Sequence, residues 1–501
     1  MAEPPIDSDH GRALRTSSWE AILASQQKKV DLVVVLAAGE GTRMKSSLAK
    51  VLHPIAGKTV IHHVLEAVTP TSKEVSVVVG AHREEVEAHL SEIAPSAHRV
   101  HQAERNGTGH AVQLALADTN ITGTVLVVAG DTPLLRTSTI SEFIEAHEEL
   151  ESVASVLTAV LPDPFGYGRI LRDELGAVLR IVEERDADDD QKLVDEINTG
   201  VYLFDIETLR EAAKNLTADN SQGELYLTDV IALVKASGKI AVAIQSNDFT
   251  ETLGINDRSQ LAQCAAIMRD RINDSHMLNG VSIIDPMTTW IDATVEIDTD
   301  VTIMPGSALH GKTKVASGAL IGPRTTLTNV TIDRGAVVIE SRVADSQIGA
   351  EASVGPFSFI RPGTQLASNS KVGAYVEIKN SSIGESSKVP HLSYVGDATI
   401  GEGTNIGAAT IFVNYDGVEK HRTVVGDHVR VGSDTMLVAP VRIGDGAYTA
   451  AGSIITEDVP AGAIGVARAK QRNVLGWVLR RRSGTKSEQA ARDAGATEST
   501  L

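Results

Sequence analysis

An aliphatic residue recurs at every sixth position through much of the second half of the chain. Ile291, Ile297, Ile303, Leu309, Val315, Ile321 and Leu327 keep the period, and Ile348, Val354, Ile360, Leu366, Val372 and Ile378 keep it again. With 42% of residues hydrophobic, a run of seven apolar positions would arise by chance about two times in a thousand. Six is not a helical period. At about 100° per residue it scatters side chains around a helix, whereas an even step keeps them on one face of an extended chain. Small residues fill the intervals, as at Gly349, Ala350, Ala352 and Ser353. The pattern predicts a parallel β-helix over about 280–465, each hexad forming one side of a coil with its apolar residue inward. A β-sandwich with regular turns is the alternative.

The first half follows another rhythm. A buried-strand pattern begins at Val30 and ends in Leu36-Ala37-Ala38-Gly39. Apolar runs return at Val75–Val79, Val125–Ala129 and Val153–Val160, separated by helical patterns such as Ile61–Val68 and Thr108–Ala117. Strands alternating with helices imply a largely parallel sheet covered on both faces. The expected organisation is a flexible extension over 1–29, an α/β Rossmann-like domain over 30–258, and a helical linker over 259–279 that carries Cys264. The β-helix domain follows over 280–472, then an arm or disordered tail over 473–501.

Composition narrows the function. Lys and Arg number 46 against 65 Asp and Glu, a formal charge of −19. This argues against nucleic-acid or anionic-membrane partners, which require a basic face, but not against a nucleotide in a local electropositive pocket. One cysteine excludes an intrachain disulfide and a multi-cysteine zinc site, and it fits a reducing cytoplasm. Neither a signal-peptide core over residues 1–29 nor an apolar run of membrane-spanning length is present.

A glycine-rich turn straight after a first strand offers backbone N–H groups to phosphate at the sheet's carboxyl edge. Here it reads Leu36-Ala37-Ala38-Gly39-Glu40-Gly41-Thr42-Arg43-Met44, with Lys50 downstream. It is no P-loop, since Gly-Lys-Ser/Thr is missing, and Met44 stands where the dinucleotide fingerprint requires a third glycine. Gly130-Asp131 puts a carboxylate at the same edge, suited to Mg²⁺, although an aspartate there also serves as a helix cap or turn former.

The turn resembles the signature of sugar-nucleotide pyrophosphorylases. Gln102, Gly107-Thr108-Gly109-His110-Ala111, Gly166-Tyr167-Gly168-Arg169, Glu183, Ile197-Asn198-Thr199-Gly200 and Gly254-Ile255-Asn256 follow in the order of bacterial N-acetylglucosamine-1-phosphate uridyltransferases. The resemblance implies a UTP and UDP-sugar site of Leu36, Ala37, Ala38, Gly39, Lys50, Gln102, Gly107, Thr108, Asp131, Gly168, Glu183, Asn198 and Asn256. Gln102, Gly107 and Thr108 would face uracil, and Gly168, Glu183 and Asn198 the sugar. Asp131 and Asn256 would hold Mg²⁺, and Arg43 and Lys50 would offset phosphate charge during in-line transfer. Two positions depart from the pattern: Ala49 replaces a usual proline, and Arg105 stands where some members carry a second glutamine.

In the second half the rhythm breaks between Ile406 and Val425, where Asn414-Tyr415-Asp416-Gly417 intervenes; an insertion in a solenoid must project outward. Arg361-Pro362-Gly363, Glu377-Ile378-Lys379, His391-Leu392-Ser393-Tyr394-Val395-Gly396-Asp397, Asn405-Ile406-Gly407-Ala408, Asn414-Tyr415, Ser433, Ala451-Gly452 and Arg468 surround it in sequence. They resemble the acetyltransferase half of the bifunctional N-acetylglucosamine-1-phosphate uridyltransferase/glucosamine-1-phosphate acetyltransferase family, and the combined likeness covers about 30–472. It implies that Arg361, Lys379, Tyr394 and Asn405 bind glucosamine 1-phosphate, with Lys420 assisting. Ala408, Asn414, Tyr415, Ser433, Ala451 and Arg468 would line an acetyl-coenzyme A groove. His391 would be the base, with a pKa suited to taking a proton from an amine near neutral pH. A left-handed coil and a homotrimer with a shared cofactor groove are also implied. Two rivals remain: a one-activity nucleotidyltransferase with a regulatory β-helix, and a β-helix that only trimerises.

Overall fold

A computed structural model describes residues 28–497. All but the last two residues of the expected extension over 1–29 lie outside the described residues. The chain divides into two compact units. The first runs to Asn279 and takes in Pro286–Val295 and Leu309–Gly311; the second holds Gly280–Asp285, Glu296–Ala308 and the chain from Lys312.

The main sheet of the first unit runs, edge to edge, through Ala241–Gln245, Ala154–Val160, Glu196–Asp205, Thr124–Ala129, Val30–Ala37, Ser72–Val79 and His98–His101. Val30–Ala37 is parallel to both neighbours, whereas Glu196–Asp205 is antiparallel to both of its own. Strand order reverses beside Val30–Ala37, the place where α/β sheets open a crevice at their carboxyl ends. Its alternating side chains fill two cores. Val33 and Val35 meet Ile61, Val64 and Phe143 on one face, and Leu32 and Val34 meet Val112, Leu209 and Val230 on the other. Each such side chain contributes roughly 1.5–3 kcal/mol on burial, which fixes the strand whose end carries the glycine turn.

The helix expected from Ser259 runs over Arg258–Leu278 and falls within the first unit. Cys264 packs there with Met44, Ile55, Val60 and Leu134, and is 1% exposed. Among the described residues, no helix is long and apolar enough to cross a membrane.

The hexads form three parallel sheets of eleven, ten and nine short strands among the described residues. Ile303 pairs with Ile321, a step of 321 − 303 = 18 residues, or three hexads to a coil. The counted beat lapses after Leu327, yet the coil continues: Leu327 pairs with Val343 and Ile332 with Ile348, steps of 16. Shortened turns slip the period while Ile332, Val338 and Val343 stay buried. Ile297, near the open end, is only half-buried; the other twelve periodic residues are buried.

The break falls where expected. Ile406 pairs with Val431, a step of 431 − 406 = 25, and Tyr415–Lys420 form an exposed excursion. Asp416 knots it, accepting from Val418 and Glu419 N–H at 2.8 and 2.7 Å and pairing with His421 at 2.7 Å. After the last coil, two short helices, Trp477–Arg481 and Lys486–Asp493, stand in the segment expected to be an arm or disordered. Leu479 is its one buried side chain among the described residues.

Candidate active sites

In the first unit a cavity of about 610 Å³ opens at the strand ends. Leu36, Ala37, Ala38, Gly39, Lys50, Gln102, Gly107, Thr108 and Asp131 line it, joined by Arg105 and Glu224. The glycine turn depends on Gly41: its φ of 64° is left-handed, and a methyl group there would lie 2.7 Å from Lys50 Cβ. Ala49 leads into the Lys50–Leu52 turn at φ −55°, ψ 140°, the backbone a proline would impose, and it is 3% exposed. The loop therefore has the expected shape without the proline, fixed by packing. Arg105 lines the cavity in an ion pair with Glu40 at 2.5 Å, both half exposed.

Gln102 is 5% exposed, and its Nε2 donates to Gly107 O at 3.0 Å. With the nitrogen engaged, the carbonyl Oε1 remains to accept from an imide N–H. Lys50 Nζ pairs with Asp131 Oδ2, and Arg43 Nη2 donates to Asn256 Oδ1 at 2.9 Å. Ile255 N–H donates to Asp131 O at 3.0 Å, so the aspartate strand end and the asparagine loop are held side by side. Among the described residues, no group of three or more His, Cys, Asp or Glu is placed to hold a metal ion.

The expected sugar contacts converge on one another. A methyl group built on Gly168 would sit 3.5 Å from both Glu183 Cδ and Asn198 Cβ. Glu183 lines a second cavity of about 640 Å³ with Asp186, Tyr226, Thr228 and Asp229. Burial raises the Glu183 carboxyl above its usual range, with Asp186 and Asp229 adding and the Thr228 hydroxyl opposing. Glu224, Tyr226 and Thr228 escaped the sequence reading: they lie in one stretch, Glu224-Leu225-Tyr226-Leu227-Thr228, with no glycine signature. Thr228 before the helix Asp229–Ala236 looks like an ordinary helix start.

In the solenoid, coil register places the expected residues in two columns at opposite ends of three-residue strands. Phe359 pairs with Glu377 and Lys379 with Gly396, which sets Arg361 and Lys379 one above the other. Arg361 Nη1 donates to Glu377 Oε1 at 2.7 Å. Asn414 stands one position further along, over Asp397, since Tyr394 pairs with Ile411. Gly396 must lack a side chain, because a methyl group there would come within 2.5 Å of Tyr394 Oη and 2.6 Å of Asn414 Nδ2. Lys420, from the excursion, meets Lys379; its hydrogen bonding and charge hold Lys379 below the usual lysine range.

The other column holds His391, Ala408, Ser433 and Ala451. Ala409 N–H bonds to His391 O, Asp434 N–H to Ala408 O and Gly452 N–H to Ser433 O, at 3.2, 2.7 and 2.9 Å. His391 is exposed, as are Ser433 and Ala451. Two expected residues stand apart. Asn405 aligns with Lys388 on a different sheet from Lys379 and Tyr394, and Arg468 is exposed beyond the last strand, Ile464–Gly465.

A family model of the MobA-like NTP transferase domain matches residues 33–194, and one of the GMPPB C-terminal domain matches residues 343–444. A Streptomyces avermitilis protein named bifunctional protein GlmU is 52% identical over 463 residues, 92% of this chain and 96% of its own. The protein of that name from Streptomyces coelicolor is 51% identical over 463 residues, with the same coverage. That from Corynebacterium diphtheriae is 49% identical over 472 residues, 93% of this chain and 98% of its own.

Proposed function

The chain belongs to the bifunctional GlmU family, and from that premise we propose that it makes UDP-N-acetylglucosamine in two steps, one in each unit. The solenoid is the left-handed β-helix of the family and acetylates glucosamine 1-phosphate with acetyl-coenzyme A. The α/β unit then joins the product to the uridylyl group of UTP and releases pyrophosphate. The convergence of Gly39, Lys50, Gln102, Gly107 and Asp131 on one cavity carries this reading.

In the α/β unit Gln102 takes the base, the Ala38–Gly41 turn offers N–H groups to phosphate, and Lys50 and Arg43 offset its charge. The phosphate of N-acetylglucosamine 1-phosphate attacks the α-phosphorus in line, with Gly168, Glu183 and Asn198 around the sugar. Asp131 and Asn256 would hold Mg²⁺. One carboxylate and one amide oxygen suit a hard cation that keeps water and phosphate ligands, and both oxygens already accept cationic side chains here. Bound there, Mg²⁺ neutralises charge on the transferring group.

In the solenoid Arg361 and Lys379 bind the sugar phosphate, while His391 removes a proton as the amine attacks the thioester carbonyl and coenzyme A leaves. Transfer is direct, because Cys264 lies in the other unit with its thiol pushed up by burial to about 12. The working form is a homotrimer. Its support is that Asn405 stands on a separate sheet and that an exposed apolar edge adjoins His391. Phe357 and Tyr375 stack there at 5.3 Å, and Leu392 follows on the next coil. A neighbouring subunit against this edge would supply Asn405 and the missing wall of the groove. The acidic chain with its lone buried thiol suits the cytoplasm.

The test is incubation with glucosamine 1-phosphate, acetyl-coenzyme A, UTP and Mg²⁺, measuring acetylated sugar phosphate and UDP-sugar separately. Both should form, the first without UTP. UDP-sugar made only from supplied N-acetylglucosamine 1-phosphate would leave a one-activity enzyme.

A further inference from the structure

Beneath the acetyl-transfer site lies a carboxylate that none of the steps above uses. Asp397 follows Gly396 on the coil above Lys379 and is 9% exposed. Its Oδ1 accepts from Asn380 Nδ2 at 2.6 Å, and its Oδ2 from Asn414 Nδ2 at 2.5 Å. Its backbone N–H donates to Lys379 O at 3.1 Å, and its carbonyl accepts from Thr423 N–H at 3.2 Å. One residue thus ties the Lys379 coil to Asn414 where the excursion leaves and to Thr423 where the chain rejoins the coil.

We propose that Asp397 is the positioning residue of the acetyl-transfer site, holding the Asn414 amide nitrogen inward. The hydrogen bonds fix that orientation. Asn414 Nδ2 is engaged by Asp397 and lies 3.5 Å from Tyr394 Oη, so Oδ1 is the polar atom left for a substrate, an acceptor and not a donor. Charge acts at the same place: Lys379 is held low chiefly by Lys420, with burial and Arg361 acting the same way, and Asp397 opposes them. Burial alone would raise the Asp397 carboxyl, yet the amides of Asn380 and Asn414 and the charges of Lys379 and Lys420 keep it below its usual range. It is therefore ionised wherever the enzyme works.

The proposal rests on the solenoid being the acetyl-transfer site, and the test separates the two. Asp397→Asn keeps the shape and removes the charge. Turnover in acetyl transfer should fall roughly 10–100-fold, as when a group orienting a functional side chain is lost. Subunit association and uridylyl transfer should stay as in the unaltered protein. Because Asp397 opposes what holds Lys379 low, its removal moves the alkaline rise in the glucosamine 1-phosphate KM to lower pH. In an Asn414→Ala background, where the amide that Asp397 orients is gone, the same substitution should cost little further turnover. An unchanged turnover and KM profile in Asp397→Asn overturns the proposal. So does an equal loss of turnover with and without the Asn414 amide, or a loss of acetyl transfer only in step with lost association and melting temperature. No acetyl transfer by the unaltered protein would overturn the underlying reading, and this inference with it.

Discussion

The two sites are built by opposite means. The nucleotide cavity gathers Gly39, Lys50, Gln102, Asp131 and Glu224 from distant stretches and encloses them at the ends of a sheet. The solenoid gathers its residues by counting: Arg361 and Lys379 are one coil apart, and so are Ser433 and Ala451, each a step of 18. A periodic fold gives exact-looking columns from register alone, but it leaves them on an open wall, with His391, Ser433 and Ala451 exposed. Enclosure of that wall must come from an excursion or from another subunit. The α/β unit needs neither.

If the sites are that separate, each should be destroyed without touching the other. The largest effect is expected from Asp131→Ala, which removes the proposed metal ligand and the partner of Lys50 together. Metal-ion stabilisation is worth several kcal/mol, so uridylyl transfer should drop by roughly 10⁴-fold, measured as pyrophosphate release, while coenzyme A release continues. Near-normal UDP-sugar formation would remove Asp131 from the site. The mirror experiment is His391→Ala, with a loss in acetyl transfer of roughly 10³-fold, within the usual yield of a positioned base. Coenzyme A binding and uridylyl transfer from supplied N-acetylglucosamine 1-phosphate should persist; a folded, cofactor-binding variant with normal acetyl transfer would show that His391 is not the base.

The contrast also explains what could be read in advance. The β-helix was legible because each hexad meets the same demand, an aliphatic side chain pointing inward, and that demand prints a period on the sequence. Where turns shorten between Leu327 and Ile348 the count failed although the packing did not, since Val338 and Val343 remain buried. In the α/β unit the glycine turn was legible for a local reason, the left-handed backbone at Gly41 against Lys50. Tyr226 and Thr228 were not, because their closeness to Glu183 depends on how a hairpin and a helix pack, and nothing in their spacing records it. Asp397 was legible as the last residue of the His391–Asp397 stretch, but its role was not, because its partners Asn380 and Asn414 sit 17 positions to either side.

A smaller effect is expected where the open wall would meet a neighbour in the proposed trimer. Phe357→Asp with Tyr375→Asp places two carboxylates on the exposed aromatic stack. Buried aromatic anchors at interfaces are commonly worth about 2 kcal/mol or more each, so sedimentation should show smaller species at concentrations where the proposed trimer forms. Acetyl transfer should decline with the trimer, and uridylyl transfer should hold. A variant that stays trimeric would place the subunit contact elsewhere on the solenoid; equal loss of both activities would erase the contrast between a self-sufficient site and a shared one.

The smallest effect concerns what stiffens the enclosed site. Ala49 already has the backbone of a proline, at φ −55° and ψ 140°, and accepts from Leu52 N–H at 3.0 Å through its carbonyl, which a proline retains. If packing alone sets the loop, Ala49→Pro adds no order to the folded state and acts by restricting the unfolded chain, a gain of about 0.4–1 kcal/mol. The α/β unit should then melt slightly higher by calorimetry, with the solenoid transition and both turnover numbers unmoved. If the loop instead needs the freedom of alanine to bring Lys50 onto phosphate, the same substitution should lower uridylyl turnover while leaving melting unchanged or higher. The pairing of a raised melting temperature with an unchanged rate is the outcome expected when nonlocal burial, and not the residue at position 49, positions Lys50.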